Sequence, residues 1–119
     1  MKTLKIRIRS RKEAFASLKA KARKIEKGEP AAREAVHGFA SYERVHKVLT
    51  PKRVEVVKAM AGQGALSVRD IARRVGRDVK AVHTDLTALV EAGIVDRSDE
   101  GFVFPFDAIE FDFKLSAAA

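Results

Sequence analysis

Between Leu66 and Val95 two apolar periodicities of helical spacing meet across a single glycine, and this pairing constrains the fold of the 119-residue chain more than any other feature. Ile71, Ala72 and Val75 mark the first; Val82, Leu86, Leu89 and Val90 mark the second, with Gly76 between them and Gly93 after. Ser67 with Asp70 three residues on has the form of a capping box, and Asp78 is an N-cap for the second run. Ala72 is small where a second helix crosses close by, Gly76 permits a sharp turn, and Val82 fills the angle between the two axes. The segment therefore predicts a helix ending at Gly76 and another from Val79 to Ala92.

The flanks read just as locally. Thr3 to Arg9 alternates Leu4, Ile6 and Ile8 with Lys5, Arg7 and Arg9, the period of a half-buried strand. Ser10 and Glu13 then open an amphipathic helix over 11–27, with Phe15, Leu18, Ala22 and Ile25 on one face and Lys12, Lys19, Lys21, Arg23, Lys24 and Lys27 on the other. Gly28-Glu29-Pro30 stops it. Residues 31–40 read as a linker with a short extended piece from Val36 to Phe39. Ser41 caps a short helix whose apolar side is Tyr42, Val45, Val48 and Leu49. Thr50, with Pro51 in the first helical position, starts another that buries Val54, Val57 and Ala61 and ends before Gly62-Gln63-Gly64. After Gly93, Ile94 and Val95 begin a strand, residues 98–101 turn, and Phe102 to Phe104 return as a hairpin. Ile109, Phe111, Phe113 and Leu115 then alternate with Glu110, Asp112 and Lys114 as a last strand. The organisation expected is a basic strand-helix extension over 1–40, a body over 41–106, and a C-terminal strand and tail over 107–119.

Composition narrows the function. Without cysteine there is no disulfide, thiolate metal site or cysteine nucleophile, which agrees with a reducing cytoplasm. Charges interrupt every apolar position of residues 1–7, so neither a signal peptide nor a membrane span is expected, and the chain reads as soluble and cytoplasmic. His37, His46 and His83 lack metal-ligand spacing, Asp85 near His83 has no serine partner, and Gly62-Gln63-Gly64 lacks the Lys-Ser/Thr of a phosphate loop. No catalytic residue, metal or cofactor is expected. The net charge of +8 is unevenly placed: +8 over residues 1–30, +5 over 31–76 and −5 over 77–119. A basic body of this kind attracts a polyanion.

The offsets of Ala72, Gly76 and Val82 suit a helix-turn-helix, and with Leu86, Leu89, Gly93 and the hairpin the stretch 42–106 resembles the MarR-like winged helix-turn-helix regulators. It is most similar to small archaeal and bacterial DNA-binding proteins with a basic N-terminal extension and the segment Leu49-Thr50-Pro51-Lys52-Arg53. The resemblance implies an α+β winged helix-turn-helix with an N-terminal strand-helix extension and a C-terminal strand. It implies that the helix from Val79 enters the major groove, with Lys80, Ala81, His83, Thr84 and Thr87 at base edges. Ser67, Arg69, Arg73 and Arg77, and Arg97 in the wing, would hold phosphates. Two departures stand out: Asp85 lies where many relatives place an apolar residue, and the wing tip Ser98-Asp99-Glu100 is acidic.

The implied function is a sequence-specific, double-stranded DNA-binding transcriptional regulator. Relatives of this layout often look like the autoregulating partner of a toxin, so the resemblance implies a toxin or other protein as a second partner. The competing class is a winged-helix protein-interaction adaptor, which leaves the positive charge of residues 1–76 unexplained. A homodimer is expected, because one recognition helix spans few base pairs. The first and last strands match apolar to apolar and basic to acidic when laid side by side. With the helix over 11–27 they form the expected dimer interface, through Leu4, Ile6, Ile8, Phe15, Leu18, Phe111 and Phe113.

Overall fold

The computed structural model describes residues 1–26 and 35–117. In chain order the elements are β1 (Thr3–Ile8), α1 (Arg11–Glu26), β2 (Ala35–Phe39), α2 (Tyr42–Val48), α3 (Pro51–Met60), α4 (Val68–Val75), α5 (Val79–Glu91), β3 (Asp96–Ser98), β4 (Gly101–Val103) and β5 (Ala108–Phe111). Helix and strand mix, with five helices and two sheets among the described residues. The stop expected at Gly28-Glu29-Pro30 lies outside the described residues, as do the side chains of Lys21, Lys24 and Ile25.

Short polar side chains start the helices. The hydroxyls of Ser10, Ser41, Thr50 and Ser67 accept the N–H groups of Glu13, Arg44, Arg53 and Asp70 at 3.1, 3.2, 3.3 and 3.1 Å. The Asp78 carboxylate accepts from Lys80 and Ala81 at 3.1 and 3.3 Å. Each bond satisfies a first-turn donor that the helix itself leaves open. Gly76 ends α4 with φ of 66°, a left-handed position that spares a side chain its steric penalty, and the Arg77 N–H donates to the Ala72 carbonyl at 3.0 Å.

These turns pack α3, α4 and α5 around one core. Val56, Val57, Met60, Ile71, Ala72, Val82, Leu86 and Leu89 are buried there, joined by Ile94, Val95, Phe102 and Phe104. The β3–β4 hairpin is antiparallel and starts at Asp96 rather than Ile94. Ile94 is instead folded back on α5, its N–H donating to the Leu89 carbonyl at 2.9 Å. Leu66 and Phe102 exchange two backbone bonds of 2.8 Å, which fasten the hairpin to the segment leading into α4.

The other sheet has the order β2-β1-β5, and both pairings are parallel. Leu4 stands between Ala35 and Ile109, and Ile6 between His37 and Phe111. Leu4, Ile6 and Phe39 join the core of the helical body, with Ile8 and Ile109 packed against it. On the opposite face Arg7 meets Asp112 at 2.9 Å and Lys5 meets Glu110 at 3.9 Å.

The match of apolar to apolar and basic to acidic therefore forms, but within one chain. Leu4 and Ile6, expected in a dimer interface, are buried in the chain's own core, because that face of the sheet packs on the helical body; Ile8 and Phe113 are half-buried. Of the expected interface, Phe15, Leu18 and Phe111 stay open to solvent at 62, 66 and 44% of their full exposure. On α1 the Lys19 ammonium lies 5.2 Å from the centre of the Phe15 ring, so even the apolar stripe carries a cation. The last strand ends at Phe111, short of Leu115. Tyr42, expected inward, is exposed, with its ring centre 6.0 Å from that of Phe113.

Candidate functional site

Helix α5 is anchored by one face and presents the other. Val82, Leu86 and Leu89 are fully buried, which turns Lys80, Ala81, His83 and Thr84 to solvent and leaves Thr87 half-buried. Spacings of three and four residues align Lys80, Thr84 and Thr87 along one stripe. The Thr84 hydroxyl donates to the Lys80 carbonyl at 3.1 Å and the Thr87 hydroxyl to the His83 carbonyl at 2.9 Å. Their protons are thus committed to the helix, while the oxygens keep lone pairs and the methyl groups offer apolar surface.

Cations border this stripe unequally. Arg69 is exposed on α4, and among the described residues neither it nor Lys80 has a carboxylate within ion-pairing distance. Arg73, also exposed, meets Asp70 of its own helix at 3.2 Å, a pair that water screens. Ser67 is exposed but spends its acceptor on the Asp70 N–H. In the hairpin the Arg97 guanidinium lies 5.5 Å from the centre of the Phe102 ring, and the His83 ring approaches the same ring edge-on at 6.4 Å. Phe102 thereby brings a residue of α5 and a residue of the hairpin to one place. Asp99 and Glu100 at the hairpin tip, and Asp96 at its base, are exposed carboxylates that repel phosphates.

Arg77 is placed differently from the other expected phosphate contacts. Its Nη1 donates to Asp85 at 2.8 Å, while Arg53 of α3 donates to the other Asp85 oxygen through Nε at 3.1 Å. The carboxylate is only 14% exposed and the two arginine side chains 21 and 23%. Arg53 continues through Nη1 to the carbonyls of Lys47 and Val48, at 3.1 and 3.3 Å, where α2 ends. One carboxylate thus ties α5 to α3, to the end of α2 and to the turn after α4. Sequence reasoning misses Asp85 and Arg53 as a pair because 32 positions separate them. The available signal is an acidic residue three positions from Val82, on the inward edge of an otherwise apolar helix face.

His37 of β2 is half-buried against Phe39, ring centres 4.9 Å apart, and burial lowers its pKa below the ordinary value of 6.5. Among the described residues no group of three or more His, Asp or Glu side chains is arranged to hold a metal ion. No described helix is long and apolar enough to cross a membrane.

Comparison with curated proteins and with solved structures returns no match. Residues 48–111, from the end of α2 to the end of β5, match one family model. They span the α3–α5 core, the hairpin and the Asp85 cluster, which amount to more than half of the chain, and the chain belongs to the HVO_A0114 family.

Proposed function

We propose that this chain is a winged-helix protein of MarR-like design that binds double-stranded DNA with sequence preference and regulates transcription. The observation that carries the reading is the exposed stripe of α5. It is a helix of 13 residues locked from behind by Val82, Leu86, Leu89 and the Asp85 ion pairs, facing outward with Lys80, Ala81, His83, Thr84 and Thr87. A helix of that diameter fills a major groove, and side chains of these types hydrogen-bond to base edges or touch a thymine methyl. Arg69, Arg73 and Ser67 flank the stripe as phosphate contacts, and Arg97 reaches the backbone beside Phe102. Arg77 serves mainly to position α5 through Asp85. The acidic hairpin tip favours a shallow wing that stays out of the minor groove.

Two chains on one site double the contacts that a single helix makes. Selection from a random duplex library, followed by sequencing, tests the reading. A regulator enriches one motif, with two half-sites if two chains bind together. A protein-interaction adaptor enriches none.

A further inference from the structure

Strand β5 is an edge of its sheet, with β1 on one side and no described strand on the other. Hydrogen-bonding direction alternates along a strand, so the residues that bond to β1 leave their neighbours bonding outward. The N–H groups of Ala108 and Asp112 donate to Lys2 and Ile6 at 3.3 and 2.9 Å, which leaves Ile109 and Phe111 with backbone N–H and C=O aimed at the open edge. The side chains of these same two residues line a groove of about 450 Å³ between β5 and α3, together with Val54 and Ala61 and the charged Lys58 and Asp107. Ala108–Phe111 holds no proline or lysine, and its four residues make the open edge a short one.

We propose that this groove takes an extended protein segment that adds to β5 as a fourth strand, with alternating apolar and basic residues. Alternation sends every second side chain down against Val54 and Ala61 and the others to the solvent face. That face carries Glu110 of β5 and Asp112 just beyond the strand, already met from the β1 side by Lys5 and Arg7. A basic strand on the outer side places β5 between two strands of opposite charge. A second copy of β5 instead sets acidic side chains against acidic ones, which is unfavourable for cross-strand neighbours. The proposal does not rest on the DNA reading, and its test uses no DNA.

The probe is a fluorescein-labelled seven-residue peptide alternating valine and lysine, titrated with the full chain and followed by fluorescence anisotropy. Binding is expected, weakened ~10-fold or more in the peptide that alternates valine and glutamate, and weakened by Glu110→Lys in a chain whose circular dichroism is unchanged. N-methylation of one alternate set of peptide amides should abolish binding while methylation of the other set spares it, and which set matters reports the direction of the added strand. Absence of binding, equal binding of the acidic peptide, or indifference to both methylation patterns overturns the proposal. So does sedimentation showing that the chain dimerises through this edge and that the dimer excludes the peptide.

Discussion

Two guanidinium groups converge on the Asp85 carboxylate, and removing it would leave both half-buried without an anion. Asp85→Ala is therefore expected to cost about 2 kcal/mol in urea denaturation, below the range for a fully buried pair because all three side chains keep some exposure to water. Arg77→Ala should cost less, since Arg53 still holds the carboxylate and the helix ends it serves. If α5 reads DNA as proposed, its exposed side separates reading from holding: Thr84→Ala should relax sequence choice by about 1 to 3 kcal/mol at one base pair, whereas Arg73→Ala should weaken all duplexes alike. Binding titrations against the selected motif and a scrambled duplex distinguish these effects. His37 supplies a pH dependence. Because burial lowers its folded pKa, the unfolded chain takes up the proton first as pH falls, so the stability it contributes is complete above 6.5 and is lost as pH falls through the folded value. Urea midpoints compared at about pH 7 and pH 5 should therefore fall more for the native chain than for His37→Phe.

At the scale of elements, what is legible in the sequence is whatever a few neighbouring residues decide. Ser41, Thr50, Ser67 and Asp78 cap the helices they are expected to cap, since an N-cap needs only its own oxygen and an N–H two or three residues further on. The α5 stripe follows from the same local periodicity. Partners distant in sequence are not legible: alternation in β1 announces a buried face but not what buries it, and the Phe15 and Leu18 stripe of α1 announces an apolar face that the chain leaves uncovered. If two chains associate through that stripe, Phe15→Glu with Leu18→Glu should shift the sedimentation equilibrium toward monomer without altering the urea midpoint. Gly101 reads in the sequence only as part of a turn, yet it has φ of 130° and the Leu66 carbonyl occupies the space where a Cβ would stand. Gly101→Ala is expected to break the Leu66–Phe102 bridge and lower stability by about 2 kcal/mol or more, measured by the same denaturation.

For the molecule as a whole, residues from both ends of the described chain complete one sheet, with β1 in its middle. Deleting residues 1–9 thus removes the strand that joins β2 to β5 and takes Leu4 and Ile6 out of the core, and it should expose apolar surface rather than release a stable monomer. Increased binding of a hydrophobic dye and the disappearance of the cooperative transition would show this. The parallel arrangement of β1 and β5 also has a mechanical meaning. A force drawing on the chain ahead of Thr3 and beyond Phe111 pulls the two strands in opposite directions along their length, so every hydrogen bond between them is loaded at once in shear. Bonds that must fail together resist far more than bonds opened one after another, so this small sheet acts as a clamp against extension, and the helical body behind it bears no load until the clamp slips.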